Sequence, residues 1–258
     1  MKITALVENT SLSENIKSEH GLSLFIETAT RKILFDAGQT DLFADNAAEL
    51  GIDLSEADTA ILSHGHYDHG GGLARFLEIN NTAPVYVSRH AFLPCYHGEE
   101  KYIGLGPALQ QSERIVFTDD VCDLGDGMTL YSCNDRTRKF DIGSFGLTVK
   151  TDSGYVPDPF IHEQYLLIEE ECKRVLISGC SHKGILNIAE WFSPDVLIGG
   201  FHFSGLALDG TLAEYAEYLN GFDTDYYTCH CTGVEQYGFM RDRMPRLHYL
   251  SAGESIRV

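Results

Sequence analysis

The sequence predicts an α/β fold in which two β-sheets pack face to face and helices cover their outer sides. Short apolar runs that end in glycine or polar residues alternate with segments of helical periodicity in both halves of the 258-residue chain, and this alternation is typical of sheets covered by helices. The two halves also share one order of features: strand, polar residue, helix, strand and histidine. Two such units facing each other make a helix–sheet–sheet–helix sandwich whose strand ends converge on one edge.

The first half begins with a predicted β-hairpin and continues as alternating helices and strands. The apolar patterns of residues 22–28 and 31–36 predict the two hairpin strands. Apolar residues at helical spacing over 42–50 predict a helix that Gly51 ends. The next predicted elements are a strand at 59–63, a helix at 72–78 and a strand at 85–87.

The middle of the chain, residues 88–154, has a different composition. It is rich in glycine, tyrosine and polar residues and contains Pro94 and Pro107, so we expect long loops and edge strands there, where substrate-facing segments commonly lie. The later predicted elements are strands at 165–168 and 174–178, a helix at 185–191, a strand at 196–198, a helix at 212–219, a strand at 225–229, a helix at 234–241 and a strand at 247–250. No linker separates the halves, and we therefore predict a single domain over residues 1–258 with a loop-rich insertion at 88–154.

Charge and cysteine content restrict the partners and the location. Lysine and arginine total 19 against 38 acidic residues, a formal net charge of −19, and no basic run is present that would bind nucleic acid or an anionic membrane. No segment is apolar over the roughly 20 residues that span a bilayer, and no secretory signal is evident. The seven cysteines are odd in number and irregularly spaced, which indicates a reduced, cytoplasmic protein. We expect a small-molecule substrate. The sequence does not determine the oligomeric state, and a homo-oligomer is one of the alternatives.

The strongest chemical signal is a histidine-rich motif directly after the strand at 59–63. His64 and His66 are two residues apart, so in extended backbone they project to one side. Asp68 and His69 follow where the chain turns, and three glycines allow tight turning. Burying three imidazoles and a carboxylate together is costly unless they bind a partner. Neutral imidazole and carboxylate are zinc ligands that also suit iron and manganese.

This motif resembles the hallmark of the metallo-β-lactamase superfamily, His-x-His-x-Asp-His on the loop after a strand. Asp36 and Gly38 at an earlier strand end are similar to the family's first motif, and the resemblance covers nearly the whole chain. It implies the metallo-β-lactamase-type αββα four-layer sandwich of two mixed sheets with helices outside. It also implies two adjacent divalent metal ions, zinc first, with iron and manganese as alternatives.

The resemblance further implies how the ligands divide. His64, His66 and a later histidine would hold the first metal, and Asp68, His69 and a final histidine would hold the second. An acidic residue or a cysteine at a strand end would lie between or beside the two metals.

Five later residues are candidates for completing this set. In chain order His162 resembles the family's third-motif ligand. Cys180 stands where the fourth motif usually has a bridging aspartate, so Cys180 as a thiolate, His182 in its place, or neither remain alternatives. His230 ends a strand and resembles the last ligand. His202 ends the strand between them and is expected to face the same edge as a group near the substrate.

The remaining histidines and cysteines lack this context. Because Cys229 and Cys231 flank His230 in a predicted strand, we expect both of their side chains to point away from it into the core. The histidines that we expect to be ordinary are His20, His90, His97 and His248.

Residues 162–164, 179–185, 199–202 and 230–233 are similar to one branch of the superfamily. Its members are metal-dependent hydrolases related to 7,8-dihydropterin-6-methyl-4-(β-D-ribofuranosyl)-aminobenzene-5′-phosphate synthase. The resemblance implies hydrolysis of a small ester, thioester, lactone or phosphoester by a metal-bound hydroxide. Asp68 would orient the water, and His182 or His202 would stabilise the oxyanion or protonate the leaving group.

Three other functions stay open at this level. They are a pterin-coupling synthase, a metal-binding module without turnover, and a di-iron oxidoreductase, which is disfavoured because His66 stands where such enzymes typically carry glutamate. Two further segments are candidates for contact with substrate. Residues 88–106 are a candidate lid, and the basic cluster Arg136, Arg138 and Lys139 is either a phosphate site or a solvated hairpin tip.

Overall fold

The computed structural model describes all 258 residues. The eighteen strands, numbered in chain order, are β1 (Lys2–Val7), β2 (Ser23–Glu27), β3 (Lys32–Phe35), β4 (Thr59–Ile61), β5 (Val85–Ser88), β6 (Cys95–His97), β7 (Lys101–Tyr102), β8 (Ile115–Thr118), β9 (Val121–Gly125), β10 (Met128–Tyr131), β11 (Leu147–Thr151), β12 (Gly154–Pro157), β13 (Tyr165–Glu170), β14 (Lys173–Ile177), β15 (Val196–Gly199), β16 (Asp225–Thr228), β17 (Leu247–Tyr249) and β18 (Ser255–Arg257). The α-helices are α1 (Leu42–Glu49), α2 (Tyr67–Gly70), α3 (Leu73–Ile79), α4 (Ile185–Phe192), α5 (Gly210–Asn220) and α6 (Val234–Arg241). Short 3₁₀ helices cover Leu54–Glu56, Pro107–Gln111 and His230–Thr232. No helix is both long enough and apolar enough to cross a bilayer.

Two seven-stranded mixed sheets form the body of the molecule. Their strand orders are β18-β1-β2-β3-β4-β5-β8 and β17-β16-β15-β14-β13-β10-β9. Strands β3, β4, β5 and β8 are parallel in the first sheet, and β14 to β17 are parallel in the second. Because neighbouring parallel strands end at the same edge, the segments that follow β14, β15 and β16 lie side by side there.

Side chains on each central strand alternate between two apolar layers. In β3, Ile33 and Phe35 face the layer between the sheets, whereas Leu34 packs with side chains of α1 and α3. In β14, Ile177 faces the layer between the sheets, and Leu176 packs with α4, α5 and α6. Successive residues of a strand point to opposite faces, so strands covered on both faces are apolar throughout. This packing confirms the predicted α/β sandwich with helices outside.

Between β5 and β13 the structure contains more strand than the sequence predicts. Strands β8 and β9 are edge strands of the two large sheets, as expected, but β12, β11, β6 and β7 form a separate four-stranded sheet. Cys95, Ile103 and Val149 form a small apolar cluster there. Strands β6 and β7 have only three and two residues, too few to show an alternating pattern, and β6 pairs with the distant β11 through His97 and Leu147.

Candidate metal centre

The histidine-rich motif lies in the turn that follows β4, at the edge where the parallel strands end. Strand β4 ends at Ile61, and the single turn of α2 carries Asp68 and His69. Gly65 allows the close approach of two segments, because a Cβ at this position would lie 2.1 Å from the carbonyl oxygen of Ala91. The motif is thereby folded inward, and its three histidines and its aspartate are all buried.

Three histidines, which we call the trihistidine group, come from both large sheets: His64 and His66 follow β4, and His182 follows β14. Nε2 of His64 lies 3.3 Å from Nε2 of His182, and one nitrogen of each ring lies within 4.8 Å of the others. Burial, together with the neighbouring imidazoles, lowers the pKa of His66 to about 3 and the pKa values of His64 and His182 well below their usual range. All three rings are therefore neutral, the form in which histidine binds metal.

Asp68, His69 and His230 form a second group, the aspartate group. Nε2 of His69 lies 3.2 Å from Nε2 of His230. Oδ2 of Asp68 lies 3.4 Å from Nε2 of His230 and 3.9 Å from Nε2 of His69. Tetrahedral bonds of about 2.0–2.1 Å place neighbouring ligand atoms about 3.3 Å apart. Although burial opposes ionisation, His69 and the neighbouring histidines hold the pKa of Asp68 well below its usual range, so it is a carboxylate.

Cys180 lies between these two groups. Its Sγ is 3.1 Å from Nε2 of His69, and a nitrogen of His64 lies within 4.8 Å of both atoms. Burial raises the pKa of the Cys180 thiol well above its usual range, and a bound cation would supply the charge that keeps it a thiolate. The sequence left Cys180 and His182 as alternatives for one place. The structure gives them different places, with His182 in the trihistidine group.

Asp36 and Ser63 determine which nitrogen of the neighbouring histidines is free. Oδ2 of Asp36 accepts hydrogen bonds from Nδ1 of His69 and from the Ser63 hydroxyl, each at 2.7 Å. Because the Ser63 hydroxyl donates to Asp36, its oxygen accepts from Nδ1 of His64 at 2.8 Å. Both rings therefore carry a proton on Nδ1, and Nε2 is the nitrogen by which His64 and His69 would bind a metal.

Glu8 and Asn9 hold His230 in the same way, and the sequence gave no signal for either residue. Asn9 Oδ1 accepts from Nδ1 of His230 at 2.8 Å, and Oε1 of the buried Glu8 accepts from the His230 backbone N–H at 2.7 Å. His230 has a left-handed backbone (φ 48°), a strained conformation that these hydrogen bonds offset. Nε2 of His230 is left free to face Asp68 and His69.

Glu163 anchors the turn that carries His182. Its Oε1 accepts from the backbone N–H of His182 at 2.6 Å, and its Oε2 accepts from the backbone N–H of Lys183 at 3.0 Å and from the Tyr165 hydroxyl at 2.5 Å. Glu163 is completely buried. This carboxylate therefore links β13 to the start of α4 and sets the position of the His182 ring.

His162 is placed differently from the expectation that it holds the first metal. The Gly65 backbone N–H donates to its Nδ1 at 3.1 Å, so the neutral ring carries its proton on Nε2. That Nε2 donates to Oδ2 of Asp158 at 3.0 Å, with Sγ of Cys95 at 3.7 Å. One nitrogen of His162 lies within 4.8 Å of donor atoms of His66, Cys95 and Asp158. The histidine that meets His64 is His182, with the two Nε2 atoms 3.3 Å apart.

The two ligand groups open into a cavity of about 250 Å³. His202 lines it with its ring 4.4 Å from the ring of His182, and burial lowers the pKa of His202 to about 4. Contrary to the expectation that His20 and His97 are ordinary, both line the cavity, and Nε2 of His20 lies 3.2 Å from Oδ2 of Asp68. Lys101 is the one lysine among the lining residues. No sequence motif marks these contributions, because His20 and His202 come from loops and His97 and Lys101 come from two short strands, β6 and β7.

The expectation for the cysteines beside His230 holds for one of them only. Strand β16 ends at Thr228, and a 3₁₀ helix begins at His230, so the alternation assumed for a strand does not continue. Cys229 packs in the core between the sheets, whereas Cys231 lines the cavity.

The basic cluster does not line the cavity. Arg136 donates to the carbonyl of Trp191, Arg138 donates to the carbonyl of Pro159, and Lys139 pairs with a carboxylate of α4. Of the candidate lid, residues 88–106, His97, Lys101 and Ile103 line the cavity.

Four observations show that the donors fit two divalent ions. The nitrogen and oxygen atoms of the aspartate group have the spacing of ligands to one ion, and the trihistidine group presents neutral rings. The second nitrogens of His64, His69 and His230 are committed to hydrogen bonds that leave Nε2 free. In addition, Nε2 of His66 is buried without a hydrogen-bond partner, which is costly unless that nitrogen binds an ion.

Comparison with known proteins agrees with this fold. The sequence profile of the metallo-β-lactamase superfamily matches residues 18–204. The chain is 29% identical over 244 residues to an uncharacterized protein, MJ0448, of Methanocaldococcus jannaschii. The alignment covers 90% of this chain and 91% of that protein. It is 28% identical over 265 residues to the 7,8-dihydropterin-6-methyl-4-(β-D-ribofuranosyl)-aminobenzene-5′-phosphate synthase of the same organism, covering 93% of this chain and 90% of the synthase. The crystal structure of Tm1679, a metal-dependent hydrolase of the β-lactamase superfamily, superposes with a TM-score of 0.85 at 29% identity over 100% of this chain and 99% of that one. This chain therefore belongs to the metallo-β-lactamase superfamily and is a distant homologue of the dihydropterin synthase.

Proposed function

We propose that this protein is a hydrolase that holds two divalent ions, zinc in first place, and cleaves a small ester, thioester, lactone or phosphoester. The observation that carries the proposal is the pair of ligand groups at one cavity. In the aspartate group the donor atoms are 3.2–3.9 Å apart, and in the trihistidine group two Nε2 atoms are 3.3 Å apart. Tm1679, which is similar over the whole chain, bears the description of a metal-dependent hydrolase.

The residues of the cavity have separate tasks in this reaction. When bound, two divalent ions lower the pKa of a water molecule and polarise the bond under attack. The Asp68 carboxylate accepts a hydrogen bond from the attacking water and orients it, while His20, 3.2 Å away, holds the carboxylate in place. His202 has a neutral ring, so its N–H donates to the oxygen on which negative charge develops or to the leaving group. His182 contributes to ligation, since its Nε2 faces His64.

We also propose a small anionic substrate and a cytoplasmic location. The cavity of about 250 Å³ suits a small molecule, and bound divalent ions together with Lys101 would make its field positive despite the formal charge of −19 of the whole chain. All seven cysteines are free, which fits a compartment that keeps thiols reduced.

Metal analysis combined with a substrate panel tests the hydrolase proposal. Untagged protein is analysed for bound metal and assayed with carboxylic esters, thioesters, lactones and phosphoesters. We expect one to two metal ions per chain and metal-dependent turnover of at least one class. The double variant His64→Ala/His66→Ala should lose both, and His248→Ala, which removes an exposed histidine elsewhere, should lose neither. Less than about half a metal ion per chain after reconstitution would refute the proposal.

A pterin-coupling synthase is the second candidate, favoured by the 28% identity to the dihydropterin synthase over 93% of this chain. The same ligand groups would then organise a phosphorylated substrate for bond formation. The test is incubation of the metal-loaded protein with a reduced pterin and a ribosyl-aminobenzene phosphate, followed by mass analysis. Coupled product would favour the synthase, and its absence alongside ester turnover would favour the hydrolase.

A further inference from the structure

Two thiols, rather than one, face the base of the cavity. The Sγ atoms of Cys180 and Cys231 and a ring nitrogen of His230 all lie within 4.8 Å of one another. Both cysteines line the cavity, both are buried, and neither is in a disulfide. The metallo-β-lactamase motif accounts for a ligand at Cys180 and at His230, but it leaves Cys231 unassigned.

The fold makes room for the second thiol. Cys180 follows β14 and Cys231 follows β16, so the segment after β15 runs between them. Gly200 lies on that segment, and a Cβ at Gly200 would be 2.4 Å from Sγ of Cys231. Only glycine therefore leaves space for this thiol beside Cys180. The left-handed backbone of His230 (φ 48°) breaks the strand alternation that would have turned Cys231 into the core.

The contacts of Cys231 within the protein leave its sulfur available to bind a metal. Its Sγ donates one weak hydrogen bond, to the carbonyl oxygen of Cys180 at 3.6 Å. A thiol that served only to fill the core would be surrounded by apolar side chains, as Cys229 is. Cys231 instead lies beside two residues of the candidate metal centre, His230 and Cys180.

We propose that Cys231 is a metal ligand alongside Cys180 and His230, so that this part of the cavity is a dithiolate site for a thiophilic divalent ion. This inference rests on the proposed metal centre and adds a ligand and a metal preference to it. Two thiolates favour zinc, cadmium and cobalt over manganese and magnesium, because soft sulfur ligands discriminate against ions that prefer oxygen.

Cobalt(II) provides a readout that does not depend on catalysis. Thiolate bound to cobalt(II) absorbs in the near ultraviolet, with an intensity that grows with the number of cobalt–sulfur bonds. In cobalt-loaded protein we expect Cys231→Ser to lose about half of this absorption per chain, Cys180→Ser a similar share, and the double variant nearly all of it. Cys229→Ser, which changes a neighbouring cysteine in the core, should keep the full absorption. Unchanged absorption in folded, cobalt-loaded Cys231→Ser overturns the inference.

A measurement on the unaltered protein covers the case in which the variants fail to fold. X-ray absorption at the zinc edge of the zinc-loaded chain should find two sulfur neighbours per chain at about 2.3 Å, and one or none overturns the inference. The outcome is separable from that of the hydrolase proposal. Two sulfur neighbours without turnover of any substrate would refute the hydrolase and leave the dithiolate site standing, whereas turnover with one sulfur neighbour would do the reverse.

Discussion

Replacing Glu163 with glutamine should weaken both the fold and the trihistidine group. In the native structure the two carboxylate oxygens accept three hydrogen bonds, from the backbone N–H groups of His182 and Lys183 and from the Tyr165 hydroxyl. Glutamine has the same shape but one acceptor oxygen, and its NH₂ group would face at least one of these donors. A buried donor without a partner costs about 1–3 kcal/mol, and hydrogen bonds to a charged group contribute about 1.5–3 kcal/mol.

The buried Lys183 adds to this cost. Its Nζ donates to the carbonyl oxygens of Ser132 and Glu163. Burial lowers the pKa of Lys183 to about 8 against the opposing effect of the Glu163 carboxylate, so the variant removes the charge that favours the buried ammonium. We expect Glu163→Gln to lower the free energy of unfolding by about 2–5 kcal/mol. At about 2–4 °C per kcal/mol for a chain of this size, Tm should fall by about 4–20 °C.

Thermal unfolding of the metal-free variant, followed by metal titration, checks both consequences. Because the backbone of His182 loses its anchor, metal affinity should fall by about 10- to 100-fold. Glu214→Gln changes an exposed glutamate on α5 and should shift stability by less than about 0.5 kcal/mol. A Tm of Glu163→Gln equal to that of Glu214→Gln would refute the reasoning that these hydrogen bonds hold the turn.

Three further changes test packing and substrate contact. Gly65→Ala should destabilise the fold in thermal unfolding because its Cβ would lie 2.1 Å from the Ala91 carbonyl oxygen. The control Gly238→Ala has open space around an exposed helical position and should stabilise the fold by about 0.5–1 kcal/mol. Equal effects of the two variants on stability would contradict the packing argument. Ile177→Ala removes a fully buried side chain between the sheets and should cost about 2–5 kcal/mol in denaturant unfolding, whereas a loss below about 1 kcal/mol would mean that the layer collapses around the change. Lys101→Ala should raise KM for an anionic substrate and leave KM for its neutral ester unchanged, and equal changes for both would remove Lys101 from substrate binding.

Short sequence patterns were sufficient to predict the layers of the fold and half of the candidate metal ligands. The alternation seen in β3 and β14 repeats every two residues, and the motif from His64 to His69 is continuous, so both are visible in short stretches of sequence. The small sheet of β6, β7, β11 and β12 was not predictable, because its strands are short and pair across about fifty residues of chain.

The choice among the later candidate ligands required long-range contacts. His162 and His182 both flank the β13–β14 hairpin, and either would suit a ligand by residue type. The Gly65 N–H, 97 residues from His162, takes up one of its nitrogens, whereas His182 meets His64 across 118 residues. Cys231 was expected in the core because the predicted strand continued past His230, whereas β16 ends at Thr228.

The sequence by itself determined the donor chemistry and the sandwich that carries it, because residue type and strand or helix periodicity are properties of short segments. Only the tertiary structure decided which nitrogen of each histidine is free, that His182 joins the trihistidine group, and that His20 and Cys231 face the cavity. The physical reason is that a histidine is a ligand only if its lone pair points inward. The proton on its other nitrogen is placed by partners such as Asp36 and Asn9, which the fold brings in from distant parts of the chain.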